Sequence, residues 1–215
     1  MTVRAEAEGC AQAVRDRRTG GDHPGGGVVT IRDSTLARLL DATDELVFSG
    51  GIANSPVDAI LARAGVSPAT MYRAFDSKEA LVAAALRRRH ERWLAVWDEE
   101  VERASDDVDR LLSIFSALER FHAQRTAARW CAFLGTSAEY PEPPEPLAAA
   151  LLEETQAMRR RLHDLAVPVV GAGAAAELAD RLVLVASGGL AMRLRPHAEA
   201  GTDVARSLVA QARTA

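Results

Sequence analysis

The sequence predicts an all-α chain of about nine helices: a first unit of three helices, then a helical bundle. Three observations carry this. From Ser34 onward, apolar residues recur at three- and four-residue steps. Ser, Asp, Pro and Gly stand where helices start and stop. No run alternates apolar and polar residues long enough to build a sheet, and no short-period repeat is present.

The elements follow in order. Residues 1–30 are rich in glycine and polar residues, and Glu6, Glu8, Asp16 and Asp22 dilute the arginines, so an inert flexible tail is expected. The first helix is capped by Ser34, presents Leu36, Leu39, Leu40, Leu46 and Val47, and stops at Gly50-Gly51. Ser55 is expected to cap the second helix, with Pro56 at its first position and Asp58 in its first turn. Gly65-Val66-Ser67 reads as a tight turn: glycine takes the left-handed backbone, valine plugs the core and serine caps the next helix. That third helix spans only 68–75. Ser77 then caps a long fourth helix from Lys78 to about Arg103, burying Leu81, Ala85, Trp93, Val96 and Trp97.

Further helices are expected over about 106–124 and 127–138. The proline-rich stretch 140–146 is expected to be a stiff, non-helical loop. Helices over about 147–165, 174–194 and 203–213 complete the chain. The predicted organisation is a tail over 1–30, a three-helix unit over 33–93 whose second and third helices span 56–75, and a helical bundle over 94–215.

Composition narrows the function. The chain has 215 residues, 48% of them hydrophobic, which is enough for a real core. The formal net charge is −4, so contact with nucleic acid has to come from a local patch. Cys10 and Cys131 lie far apart, in no metal-ligand spacing, which fits a reducing compartment. No membrane-length apolar run or signal peptide is seen, so a cytoplasmic protein is expected. His90, His122 and His163 share no ligand spacing, and no metal or other cofactor is expected. Neither paired carboxylates nor a nucleophile–base motif nor a phosphate loop argues for an enzyme.

Two short helices joined by a glycine turn after a longer helix make a helix-turn-helix, whose second helix enters the major groove of DNA. In 68–75, Met71 and Phe75 are four apart and are expected to point inward. That leaves Ala69, Thr70, Tyr72 and Arg73 outward. Ala69 and Thr70 suit base edges or thymine methyls, Arg73 guanine or phosphate, and Tyr72 a phosphate oxygen. Lys78 is the single lysine among 26 Lys and Arg residues. A cation in the first turn of a helix opposes the macrodipole, so a phosphate contact explains it better than fold stability does.

The string "ARAGVSPATMYRAFDSKEAL" over 62–81 closely resembles the DNA-binding region of the TetR/AcrR family: Ala-Gly-Val-Ser, then Tyr72 and Phe75, then Ser77-Lys78-Glu79 and Leu81. By that resemblance Ser55 with Pro56 beside it, Ser67, Ala69, Thr70, Tyr72, Arg73 and Lys78 match DNA-contacting positions. Ala74 stands where the family often carries histidine. "LRRRHERWLAVW" and "CAFLGTSAEYPEP" further resemble one subgroup of the family.

The resemblance implies a DNA-binding domain over 33–93 with its helix-turn-helix at 56–75 and, over 94–215, a bundle that binds a small-molecule effector and pairs two subunits on a palindromic double-stranded DNA operator, as in a ligand-responsive repressor. An activator or dual regulator of the same fold remains an alternative, as does a helical small-molecule-binding protein with a vestigial helix-turn-helix. Trp93, Trp97, Phe115, His122, Trp130, Cys131, Phe133, Tyr140 and Met158 are candidates for the pocket. Cys131 reads first as an inert thiol. Leu178, Leu182, Val185, Ala186, Gly189, Leu190 and Leu208 form the stripe expected at a homodimer interface, with small residues letting helices approach closely.

Overall fold

The computed structural model describes residues 31–124, 131–195 and 201–214. Among them lie nine helices and no strand: α1 Asp33–Gly50, α2 Val57–Ala64, α3 Pro68–Ala74, α4 Lys78–Arg103, α5 Asp107–His122, α6 Ala132–Glu139, α7 Glu145–Val170, α8 Ala172–Met192 and α9 Thr202–Ala212. Trp130 and the expected tail over 1–30 fall outside the described residues. Among the described residues, no helix is long and apolar enough to cross a membrane.

Local chemistry sets most boundaries in the first unit. Gly65 is left-handed at φ 63°, and Val66 N–H returns to the Leu61 carbonyl, which closes α2. Ser67 Oγ accepts from Thr70 N–H at 3.2 Å and Ser77 Oγ from Ala80 N–H at 3.0 Å, so both serines cap as expected. Two other expected caps are corrected. α1 starts at Asp33, so Ser34 lies inside its first turn. Pro56 occupies the cap of α2, and Ser55 Oγ turns back to the Gly51 and Leu46 carbonyls at 2.8 and 3.1 Å.

The bundle helices differ more from expectation. Pro146 lies in the first turn of α7, where a missing N–H costs nothing, so the non-helical loop ends at Pro144. The same helix runs past Leu165 to Val170 with Pro168 inside it. Pro168 sits in the final turn, where its ring disturbs only the exposed end of the helix.

Two apolar cores meet on α4, a rod of about 39 Å at 1.5 Å per residue. Leu81, Val82, Ala85 and Leu86 pack with α1–α3, and Ala132, Phe133, Leu147 and Ala150 of α6 and α7 join the same core. Trp93, Val96 and Trp97 pack with α5 and with α7–α9. Between the cores, Arg87, Arg88 and Arg89 reach in different directions: to Glu153 on α7 at 2.7 Å, to Asp41 on α1 at 2.9 Å and to Asp44 on α1 at 3.1 Å. The Arg89–Asp44 pair is buried. It therefore holds α1 and α4 in register, and losing either partner would strand a charge.

Candidate nucleic-acid interface and effector cavity

The α3 helix presents two distinct faces. Met71 is fully buried and Phe75 nearly so, and burying a side chain of this size contributes about 1.5–3 kcal/mol. That anchoring fixes what faces out: Ser67, Ala69 and Arg73 are exposed, as is Tyr72, and Thr70 is half-buried. The Ser67 and Thr70 hydroxyls lie 2.9 Å apart and form one polar pair at the start of the helix. Among the described residues Arg73 has no ion-pair partner. Arg38 reaches the Gly65 carbonyl at 3.5 Å, at the turn before α3.

Two of the expected contacts sit differently. Ser55 is buried and its hydroxyl is spent on the loop between α1 and α2, so it presents nothing to a duplex; Pro56 beside it is exposed. Lys78 has a structural task that sequence reasoning did not foresee. Its Nζ donates to the Ile52 carbonyl at 2.5 Å across 26 residues, fastening the start of α4 to the α1–α2 loop. An ammonium has three protons, so donors remain for a phosphate.

The same peptide is held from the other side. Glu139, the last residue of α6, accepts from Ile52 N–H at 3.1 Å and Ala53 N–H at 2.9 Å. Gly51 is required beside it: φ is 90°, and a Cβ there would lie 3.1 Å from Glu139 Oε1. Sequence reasoning missed Glu139, since its partners lie 86 and 87 residues away.

Behind this loop, α4–α8 enclose a cavity with about 510 Å³ of space not filled by atoms, part of it open to solvent. Of the expected pocket residues, Trp93, His122, Cys131, Phe133 and Met158 line it. The other described ones do not. Trp97 is fully buried with Nε1 donating to Ser113 Oγ at 3.1 Å. Phe115 packs in the bundle core, and Tyr140 packs on the first core beside α4. Phe121, from the aromatic-rich middle of the sequence, lines it too, and Arg89 and Glu154 line it without having been foreseen. An acid at 154 in a charged run reads as solvated until the packing of α7 is known.

Electrostatics in the cavity are uneven. Burial, with Arg193 and Arg89 nearby, lowers His122 to about 4, so its imidazole is neutral at pH 7. Burial pushes the Cys131 thiol up to about 11, which removes the reactive thiolate and favours the inert reading. Burial likewise raises Glu154 to about 7.

The residues of the stripe expected at a dimer interface face mostly into their own protomer. Leu178, Leu182, Ala186 and Leu190 are buried within their own chain, and the last two line the cavity. Val185 and Leu208 pack against the same core. The close approach made by small residues is internal: a Cβ at Gly201 would lie 2.7 Å from Val185 Cγ1, and Gly189 faces the Gly201 nitrogen. The outward face of α8 instead carries Leu184, 72% exposed, with Gly188 and Ala191 on following turns.

Comparisons with known proteins converge. The family model of bacterial regulatory proteins, tetR family, matches residues 39–85. Over 73 residues, 34% of this chain, it is 37% identical to the HTH-type transcriptional regulator UidR of Escherichia coli strain K12. That alignment spans only 37% of the curated relative's length. A TetR-family transcriptional regulator from Streptomyces coelicolor is similar in structure over 100% of this chain and 95% of its own, with a TM-score of 0.72 and 23% identity. A TetR-family regulator from Cytophaga hutchinsonii gives 0.72 at 16% identity, over 85% of this chain and 97% of its own. At such identities the likeness establishes the fold.

Proposed function

We propose that this chain is a regulator of the TetR family, whose model matches residues 39–85, and that it binds duplex DNA through α3 and regulates transcription as a ligand-responsive homodimeric repressor. The single observation that carries the DNA-binding reading is the two-faced α3, with Met71 buried and Ala69, Tyr72 and Arg73 exposed. Arg73 reads a base or holds a phosphate, Ala69 and Thr70 approach base edges, Tyr72 and Ser67 reach backbone oxygens, and Lys78 adds a phosphate contact from α4.

Pairing through the outward face of α8 around Leu184 is supported by its unburied apolar surface and relates two α3 helices by a two-fold axis. An operator of two inverted half-sites, about 34 Å or a multiple apart, follows. The effector site is the cavity. Its response runs through α6, which starts beside Cys131 and Phe133 at the cavity and ends in Glu139 on the α1–α2 loop. A ligand acts through α6 only if it prefers one position of that helix, because equal affinity for two states shifts neither.

Selection of genomic fragments on the purified chain, followed by sequencing, tests this reading. A palindromic site near a promoter, with reporter expression rising on deletion of the gene, is expected. Binding without sequence preference would overturn it.

A further inference from the structure

One acid in the cavity has no cation paired with it among the described residues. Glu154, on α7, is 9% exposed and lines the cavity wall. Among the described residues its only side-chain partner is the hydroxyl of the adjacent Thr155, at a long 3.4 Å. Among the described residues no ion pair reaches it. The cation on the same wall, Arg89, is directed at both carboxylate oxygens of Asp44, at 3.1 and 3.3 Å, with its guanidinium 5.1 Å from the centre of the Phe121 ring. His122 and the Cys131 thiol are neutral, so neither offsets Glu154. A buried carboxylate in apolar surroundings is costly unless a donor or cation joins it.

The rest of the wall suits the body of such a ligand. Trp93 and Phe121 meet edge to face at 5.7 Å, and Phe133 closes the α6 side. Aromatic faces attract ammonium groups as well as apolar surface.

We propose that this cavity takes a protonated organic amine with an apolar body, its ammonium on the Glu154 carboxylate and its body against Trp93, Phe121 and Phe133. The inference rests on the cavity being the effector site and adds the chemical class of the effector. An anionic ligand is disfavoured because it would meet Glu154, while Arg89 is already matched by Asp44.

Three probes of one shape test it: phenylbutylamine, phenylbutanol and phenylbutyrate, titrated into the full chain by calorimetry at pH 8. The amine should bind at least tenfold tighter than the alcohol and the acid. Glu154→Gln, close to isosteric, should weaken the amine at least tenfold and leave the alcohol within threefold. Alcohol or acid binding as tightly as the amine overturns the proposal. So does an unchanged amine affinity in Glu154→Gln, or no amine binding up to millimolar concentration. The comparison of probes on the unmodified chain stands even if the variant folds poorly. Release of operator DNA is read separately: Glu154-dependent amine binding without release keeps the ligand class and removes the effector role.

Discussion

The α3 end of the molecule and the cavity end bury opposite things. At α3 the apolar residues go inward, and the polar and basic side chains are left outside, where they need no partner. At the cavity an acid goes inward, among aromatic rings and, among the described residues, with no cation paired to it. The first arrangement is one that water tolerates. The second costs stability when the cavity is empty, which is what marks Glu154 as a candidate ligand contact. Residues 132–139 join the two ends, since α6 borders the cavity at one end and holds the Ile52 peptide at the other.

The comparison can be broken in several ways, beginning with the largest effect. Leu182 and Leu184 are neighbours on α8 with opposite surroundings, fully buried and 72% exposed. Leu182→Ala should cost about 2–5 kcal/mol of stability, read by denaturant unfolding. Leu184→Ala should leave the protomer fold intact and weaken the dimer, read by analytical ultracentrifugation. Equal effects of the two would remove the distinction between inner and outer faces.

Glu154 comes next. Its carboxyl is raised from the usual carboxylate range to about 7 by burial. Between about pH 4.5 and 7 the unfolded chain releases this proton first, so stability falls as pH rises and the penalty is complete above 7. Glu154→Gln should therefore match the unmodified protein near pH 4 and exceed it at pH 8 by on the order of 2–3 kcal/mol. Thermal melts at the two pH values check this. A variant no more stable at pH 8 than at pH 4, relative to the unmodified protein, would mean that the acid is already matched.

The smallest effect belongs to the link. Glu139→Gln keeps an acceptor but loses its charge on the Ile52 and Ala53 N–H groups, and should cost about 1 kcal/mol. Hydrogen exchange should quicken at Ile52 and Ala53 and stay slow in α8. Uniform change along the chain would argue against a local clamp.

How much of this was legible in the sequence divides along the same line. The helix-turn-helix is written in short-range chemistry: Gly65 needs its left-handed turn, Ser67 and Ser77 cap within three residues, and Met71 and Phe75 anchor one face. Such signals do not depend on distant packing. The bundle obeys distant partners. The α8 stripe is apolar whether it faces its own core or a second copy, and only the position of α9 and the cavity decides between them. Glu139 and Lys78 look like surface charges until the Ile52 peptide comes between them. Ser55 reads as a helix cap, yet its hydroxyl donates back to the Gly51 and Leu46 carbonyls of the turn before it.

The most direct measurement is fluorescence anisotropy of the selected duplex, titrated with the unmodified chain and with Arg73→Ala. Arg73 is exposed and unpaired among the described residues, so the variant should keep its circular dichroism, melting and dimerisation. Its operator affinity should fall by about 1–3 kcal/mol, roughly five- to more than a hundredfold. Unchanged affinity and salt dependence in Arg73→Ala would contradict the assignment of α3 as the helix that reads DNA.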